Sequence, residues 1–287
     1  MTAFLVHIFM PDGDPEGVRV IEKANWSGEG LAFPRQLYQS KVTGREELTR
    51  PGVYVLWNSG EDGRLPRAYV GEGDVLKSRL DSHVSSKTFW THGIAFTSKD
   101  GTLNKAHVQY LESQLVRIAN DVGRCVLVNA NAPRAPQLSP GVTAAVELYL
   151  ADMLLCLPVL GVTFFEKPKE QAAGAQSLYL RGKGITAQGY ESVSGFVVRS
   201  GSHATKEEAP AFHKYYPRLF SLRRELLANG ILKEDGDAYL FVEDYLFTSP
   251  SYAAGVLLGH GSNGPETWRD ASGRTLKVIR ATTAEEE

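Results

Sequence analysis

Two short strings, Gly52-Val53-Tyr54 and Tyr69-Val70-Gly71, constrain the fold of this chain more than any other feature of its sequence. Each string lies in a run of β-branched and aromatic residues, and turn-forming Asn, Asp and Gly residues separate the two runs. This pattern predicts a β-hairpin. The second run leads almost directly into residues 74–84, where apolar residues recur at helical spacing and Asp74 is a candidate N-cap. A hairpin that runs straight into a helix would bring side chains of all three elements close together.

Further strand and helix signals surround this hairpin. Strands are predicted at residues 4–9, 18–21 and 93–97, and helices at residues 104–120 and 142–157. Thr102 and Asn104 are candidate caps for the first of these helices. The sequence therefore predicts an α/β (α+β) core in residues 47–165, with a small antiparallel β-sheet flanked by helices. An N-terminal β extension in residues 1–46 is predicted to precede it.

The character of the sequence changes after a stretch of polar and small residues at 166–174, which predicts a linker. Residues 175–287 are predicted to form a C-terminal α+β domain. It is glycine-punctuated and β-rich at 177–202 and helical at 212–227. Pro217 must either start a new helix or bend this one, because proline lacks the backbone N–H that a helix interior needs.

Composition and charge limit the classes of function. The formal net charge is −2, so the strong basic excess of many nucleic-acid-binding domains is absent, although a local basic patch is enough to attract a polyanion. The two cysteines form no disulfide framework and no signal peptide is evident, which favours a cytoplasmic location. Residues 142–162 are apolar but contain Glu147, Asp152 and Pro158, so we expect a buried helix and no membrane contact.

Five residues in chain order form a set that is suited to phosphodiester hydrolysis. Tyr54 and Tyr69 are placed on neighbouring strands, and Arg79 and His83 are four residues apart on one helix face. Glu112 lies in the next helix. Hydrolysis needs a positioned nucleophile and stabilisation of charge on the phosphoryl oxygens, and a guanidinium forks onto such oxygens. One carboxylate suffices for Mg²⁺ (or Mn²⁺), because Mg²⁺ keeps several waters and takes other ligands from phosphate.

This set of residues resembles the GIY-YIG nuclease family over about residues 50–130. The two strings match the signature triplets with Val in place of Ile, and Arg79, His83 and Glu112 fall where the family carries its Arg, His and metal-binding Glu. The resemblance implies that Tyr54 or a water that it orients acts as general base. It also implies that Tyr69 orients the nucleophile or the phosphate, and that His83 relays a proton.

The same resemblance extends to two less specific positions. Asn129 matches a polar residue of the active site, and His92 matches a further histidine of some members. Gly71 and Lys77 are additional candidates for contact with the substrate. Each residue also has an ordinary structural interpretation when taken alone. The tyrosines could be strand aromatics, His83 could be a surface residue, and Glu112 could be a solvated helix charge.

A second set of basic and aromatic residues lies far along the chain. Lys214 and Arg218 alternate with Tyr215, Tyr216 and Phe220, a mixture that could hold a phosphate backbone and stack bases. The alternative is an amphipathic helix with a solvated basic face. The surrounding region, about residues 174–279, resembles a small domain of unknown function that is often attached to GIY-YIG proteins.

The sequence thus leads to the expectation of a metal-dependent endonuclease that hydrolyses phosphodiester bonds, with DNA favoured over RNA. The alternative is a non-catalytic module that binds nucleic acid or docks a partner on the same fold. A protein partner or an oligomer stays open.

Overall fold

The first structural feature is a seven-stranded sheet in which the predicted hairpin lies near one edge. The computed structural model describes residues 3–58, 65–129, 133–166, 176–192 and 195–286. The predicted linker therefore lies outside the described residues, apart from residue 166. The chain divides into two units: Met1–Glu61 with Pro66–Phe165, and Asp62–Leu65 with Glu166–Glu287.

The first unit contains the strands β1 (Val6–Phe9), β2 (Arg19–Lys23), β3 (Gly28–Pro34), β4 (Gly52–Trp57), β5 (Arg67–Gly73), β6 (His92–Ser98) and β7 (Val126–Leu127), and the helices α1 (Leu76–Ser86), α2 (Lys105–Val122) and α3 (Pro140–Cys156). Short helical turns at Arg35–Leu37, Tyr38–Val42, Glu46–Thr49 and Pro158–Leu160 complete it. The strand order is β1-β2-β3-β6-β4-β5-β7, and every pair is antiparallel except β5 with β7. The α+β class is confirmed, and the sheet is larger than the small one predicted.

The strand that enlarges the sheet is β3. All seven of its residues are buried, and it joins the N-terminal β1–β2 hairpin to β6. Its sequence contains two glycines, one Glu and one Pro. These residue types are depleted in strands, so the sequence of β3 does not show the pattern that predicts a strand. The N-terminal strands therefore belong to the same sheet as β4 and β5, which carry Gly52-Val53-Tyr54 and Tyr69-Val70-Gly71.

Different helices pack on the two faces of the sheet. Val53 and Val55 of β4 pack in a core cluster with α2 and α3, whereas Tyr54 and Leu56 pack with α1. This alternation follows from the pleat of the strand. Asn104 caps α2 as predicted, because its side chain accepts a hydrogen bond from the backbone N–H of His107. Asp74 does not cap α1, since the N-cap position is Val75 and no side chain caps it.

Helix α3 is the most apolar helix of the unit. Among the described residues, one helical stretch, Pro140–Leu160, is long and apolar enough to cross a membrane, with a mean hydropathy of 1.7. Three polar groups attach it to the sheet unit: Tyr149 donates to the Thr97 carbonyl at 2.8 Å, Glu147 accepts from Tyr110 at 2.8 Å, and Asp152 pairs with Lys23 at 2.9 Å. The expectation of a fully buried helix is wrong, because Leu148 is 70% exposed. One face of α3 packs on the unit and the other faces outward.

The second unit combines two small sheets with helices. Its elements are β8 (Leu178–Gly182), β9 (Ile185–Ser192), β10 (Gly195–Val198), β11 (His203–Thr205), α4 (Phe212–Tyr215), α5 (Pro217–Ala228), β12 (Leu232–Asp235), β13 (Ala238–Phe241), β14 (Tyr245–Phe247), α6 (Pro250–Leu258), α7 (Gly264–Thr267) and α8 (Leu276–Glu286). The strand orders are β14-β10-β9-β8 and β11-β13-β12. Pro217 starts α5 and so divides the predicted helix into α4 and α5.

One charged side chain lies in the core of this unit. Arg223 of α5 is fully buried and donates to the carbonyl oxygens of Thr205 and Val256. Its guanidinium also pairs with Glu208 at 3.3 Å. Arg223 therefore connects α5 to β11 and α6, and it does not belong to a solvated basic face.

Candidate functional site

The hairpin register places the two signature tyrosines on one face of the sheet. Tyr54 of β4 lies opposite Gly71 of β5, and Leu56 lies opposite Tyr69. Because directly opposed residues of antiparallel strands point to the same face, Tyr54 and Tyr69 both lie on the α1 side. Their ring centroids are 6.2 Å apart.

Gly71 makes room for the Tyr54 hydroxyl. A Cβ atom at this position would lie 2.3 Å from the Tyr54 Oη atom, which is closer than real Cβ contacts. The Tyr54 ring is fully buried and has little freedom to withdraw. Gly71 is therefore required by the Tyr54 ring, and nothing in its surroundings marks it as a direct contact to substrate.

We predict that Gly71→Ala lowers the melting temperature and displaces Tyr54. Overpacking of a filled core costs roughly 1–3 kcal/mol. Calorimetry should show the loss, and Gly44→Ala is the matched control because a Cβ there meets nothing within 4 Å. Equal melting temperatures for Gly71→Ala and Gly44→Ala would contradict the close approach of Tyr54 to this backbone.

His83 of α1 completes an aromatic group with the two tyrosines. Its ring centroid lies 5.7 Å from that of Tyr54 and 4.9 Å from that of Tyr69, the second contact being edge-on. Only 8% of His83 is exposed, and neither ring nitrogen has a hydrogen-bond partner among the described residues. The Tyr54 hydroxyl is likewise buried and makes no hydrogen bond of standard geometry among the described residues, but the Arg79 guanidinium lies close enough to act on it as a donor. Buried polar atoms of this kind usually have partners, so these three are candidates to contact a ligand or water.

The pKa of His83 is lowered to about 4, chiefly by burial and then by the positive charges of Lys87 and Arg79. The imidazole is therefore neutral at physiological pH and able to accept a proton. Lys87 also lies over the Tyr69 ring, with its Nζ atom 4.4 Å from the centroid. Lys87 is not among the sequence-based candidates, but its position four residues after His83 could have indicated it.

We predict that His83 makes the first unit less stable in acid. The unfolded chain protonates this imidazole near its ordinary pKa of 6.5, whereas the folded chain resists protonation down to about 4. Stability therefore falls as the pH drops through this interval, by about 2 kcal/mol between pH 7.5 and pH 5. Hydrogen exchange in residues 52–98 should show this loss in the wild type and not in His83→Gln. Parallel pH profiles for the two proteins would refute the burial of a neutral imidazole.

Arg79 provides the permanent positive charge of the site. Its Nε atom donates to the Glu72 carbonyl oxygen at 3.3 Å. Its charge opposes the rise in the pKa of both Tyr54 and Tyr69, but burial dominates and raises both values. Tyr54 is therefore a neutral phenol, and its surroundings oppose its ionisation to a phenolate base. A neutral phenol can still orient a water molecule.

Glu112 lies on α2 within electrostatic range of the tyrosines and Arg79. Burial raises its pKa to about 7, and the negative charge of Glu72 contributes in the same direction. Glu112 also lines a cleft of about 520 Å³ with Gln109 and residues 133–137, which include Arg134. These cleft residues are not among the sequence-based candidates, because loop residues without a spacing pattern give no signal. A carboxylate with a raised pKa in a cleft is typical of functional sites.

The surroundings of Glu112 fit a divalent cation. Within the described ranges no group of three or more His, Cys, Asp and Glu residues could hold a metal ion by itself. Glu72 and Glu112 both contribute negative charge here. Lys105 pairs with Glu72 at 2.9 Å, whereas Glu112 has no ion pair among the described residues. A cation at Glu112 would relieve this charge, and a single protein carboxylate is an accepted donor set for Mg²⁺.

Asn129 has a role different from the other candidates. Its Oδ1 atom accepts from the Val70 N–H at 3.1 Å, and its Nδ2 atom donates to the Val70 carbonyl at 2.7 Å. The side chain thus continues the short pairing of β5 with β7. This geometry makes Asn129 a positioning residue for the strand that carries Tyr69.

Two predicted substrate contacts lie away from the tyrosines. His92 of β6 is opposite Trp57 of β4 and stacks on it at 5.8 Å. Since Trp57 and Tyr54 are three residues apart on one strand, His92 lies on the other face of the sheet. Lys77 of α1 is paired with Asp81 at 2.6 Å. The structure does not bring either residue to the group formed by Tyr54, Tyr69 and His83.

Lys214 and Arg218 belong to the second unit. Lys214 lies on α4, with its Nζ atom 5.9 Å from the Tyr215 ring centroid, and Arg218 lines a separate cleft.

Comparison with known proteins identifies part of the second unit. Residues 178–280 match the model of a domain of unknown function, DUF4357. This match confirms the resemblance expected for about residues 174–279, and it does not include residues 50–130. No curated protein and no solved structure matches the chain.

Proposed function

We propose that this chain is a metal-dependent endonuclease of the GIY-YIG type, which hydrolyses phosphodiester bonds in nucleic acid, with DNA favoured over RNA. The observation that carries the proposal is the convergence of Tyr54, Tyr69 and His83, with ring centroids 4.9–6.2 Å apart. Arg79 and Glu112 lie within electrostatic range of the two tyrosines. These are the five residues that the ordered resemblance assigns to the reaction.

The roles follow from the protonation states of the side chains. His83 is placed to relay the proton of the attacking water, because it is neutral and both of its ring nitrogens lack a hydrogen-bond partner among the described residues. Its low pKa makes it a weak base in the free protein, and the negative charge of a bound phosphate would favour its protonation. Tyr54 orients that water as a neutral phenol. Arg79 clamps the phosphoryl oxygens, where a guanidinium forms charge-assisted hydrogen bonds.

Glu112 is the residue that would hold Mg²⁺ or Mn²⁺. The cation, when bound, would polarise the phosphate and stabilise the leaving oxygen. Glu112 would contribute its carboxylate as a ligand. Because its pKa is raised to about 7, binding of a cation near neutral pH would release the proton of this carboxyl group. Arg134 and Gln109 of the adjoining cleft are additional candidates for substrate contact.

A cleavage assay tests the proposal. Labelled single-stranded and duplex DNA and RNA are incubated with the full chain in Mg²⁺, in Mn²⁺ and in EDTA. We expect products in either metal and none in EDTA. Binding without cleavage of any substrate would replace the proposal with the non-catalytic binding module, and the RNA lanes decide the substrate class.

We also propose that the protein acts in the cytoplasm. Cys125 and Cys156 are both buried free thiols, and burial raises their pKa to about 12 and 11. Unpaired thiols of this kind are typical of a reducing compartment.

A further inference from the structure

A second cleft, which the proposed reaction does not use, lies in the second unit. It has a volume of about 320 Å³, and its walls include Tyr215, Tyr216 and Tyr252. Arg218 and Gly261 also line it. Tyr215 is 69% exposed and Tyr216 is 45% exposed, which is unusual for two adjacent aromatic residues that have no catalytic assignment.

The Tyr216 ring is held in a fixed position. A Cβ atom at Gly261 would lie 2.1 Å from this ring, so the ring packs directly on the backbone at Gly261. Its centroid also lies 6.2 Å from that of Phe212, which is buried. A ring that is fixed before binding provides a stacking platform at low entropic cost.

The segment that forms one wall of this cleft is rich in basic residues. Residues 211–224 contain four basic residues and no acidic residue, although the whole chain has a net charge of −2. Arg218 lines the cleft itself. Lys214 lies next to it, with its Nζ atom 5.9 Å from the Tyr215 ring centroid.

The two serine side chains of the cleft are already used within the protein. Ser251 Oγ accepts from the Gly264 N–H at 3.0 Å, and Ser262 Oγ shares a hydrogen bond with Thr267 Oγ1 at 2.9 Å. The cleft therefore offers aromatic faces and positive charge but few groups that could read the edge of a base. This combination is typical of sequence-tolerant binding to unpaired nucleotides.

We propose that this cleft binds single-stranded nucleic acid, with bases stacked on Tyr215 and Tyr216 and phosphates contacted by Lys214 and Arg218. An acidic peptide could satisfy the charge, but it would leave the two exposed tyrosine faces without a matching surface. The proposal assigns a binding role to the DUF4357 region and stands independently of the nuclease proposal.

The test is fluorescence anisotropy with the full chain in EDTA. The probe is a fluorescein-labelled oligothymidylate, and a hairpin duplex of the same length is the comparison. We expect Tyr215→Ala to weaken binding of the single strand by roughly 5- to 150-fold, because one stacked base contributes about 1–3 kcal/mol. Lys214→Ala should reduce the salt dependence of binding by about one phosphate contact.

Matched controls separate the cleft from general surface effects. Phe9→Ala removes an aromatic residue of the first unit that is 64% exposed, and Lys233→Ala removes an exposed lysine of the second unit. Neither should change the affinity, and circular dichroism confirms that all variants are folded. Binding is measured in EDTA, where no cleavage is expected, so failure of the cleavage assay with intact binding would affect the nuclease proposal alone. Unchanged affinity in Tyr215→Ala and Lys214→Ala would overturn the cleft proposal, as would a wild type that binds only duplex or only an acidic peptide.

Discussion

Replacement of Glu112 by Gln is expected to lower metal-dependent cleavage on the order of 10³-fold. Glu112 is the single carboxylate proposed to hold the cation, and a bound cation supplies several kcal/mol of charge stabilisation. Each tenfold change in rate corresponds to about 1.4 kcal/mol. Gln has nearly the same shape but no negative charge, so the cation should bind far more weakly. Initial rates across a range of Mg²⁺ concentrations measure the effect.

Stability measurements on the same variant separate loss of function from loss of fold. Burial raises the pKa of Glu112 to about 7, so the folded state resists its ionisation and loses stability as the pH rises from 4.5 to 7. Glu112→Gln should therefore be no less stable than the wild type at pH 8. Asp121→Asn is the matched control, because it removes an exposed carboxylate from the same helix. Full cleavage by Glu112→Gln, or equal losses in both variants, would refute the role of Glu112.

Replacement of Arg223 by Met is expected to destabilise the second unit by about 3–5 kcal/mol, which is the usual cost of removing one partner from a buried charge pair. Arg223 is fully buried, and the change leaves the carbonyls of Thr205 and Val256 without this donor. Glu208 would also lose a partner. Denaturant dependence of hydrogen exchange in residues 203–258 measures the loss.

The neighbouring Arg224 is a close control for Arg223. It pairs with the same Glu208 at 3.1 Å, but half of its side chain is exposed. Exposed pairs contribute about 0–1 kcal/mol, so Arg224→Met should change stability little. Arg223→Met/Glu208→Gln should recover part of the loss, because the partly buried carboxylate is then neutral. Equal effects of Arg223→Met and Arg224→Met would show that the buried network adds no stability.

The local pattern of the sequence predicts the elements that carry the candidate site. The paired strands β4 and β5, α1, β6 and the Asn104 cap of α2 all form as their propensities indicate, whereas the predicted turn at residues 59–64 lies outside the described residues. What the sequence could not predict depends on contacts between distant residues. The backbone partner of Asn129, the placement of His92 on the far face, and the burial of Arg223 are set by tertiary packing.

Two charges illustrate why the sequence pattern alone was insufficient. Arg223 and Arg224 are adjacent and look equivalent, yet one is in the core and the other in solvent, because a helix turns by about 100° per residue. Similarly, a tyrosine near an arginine suggests a lowered pKa, but burial outweighs the charge at Tyr54. Burial determines both the different environments of Arg223 and Arg224 and the raised pKa of Tyr54. The degree of burial depends on how the whole unit packs, so the local sequence does not reveal it.

The position of β6 determines when the first unit can complete its fold during synthesis. β3 pairs with β6 from Gly28 opposite Ser98 to Pro34 opposite His92, and the other edge of β6 pairs with β4. The N-terminal hairpin emerges from the ribosome first, but its place in the sheet does not exist until β6 has been translated. Shortening the chain at its N-terminus would bare a hydrogen-bonding edge of β6, next to the strand that carries Tyr54, and an open edge of this kind invites pairing with another chain.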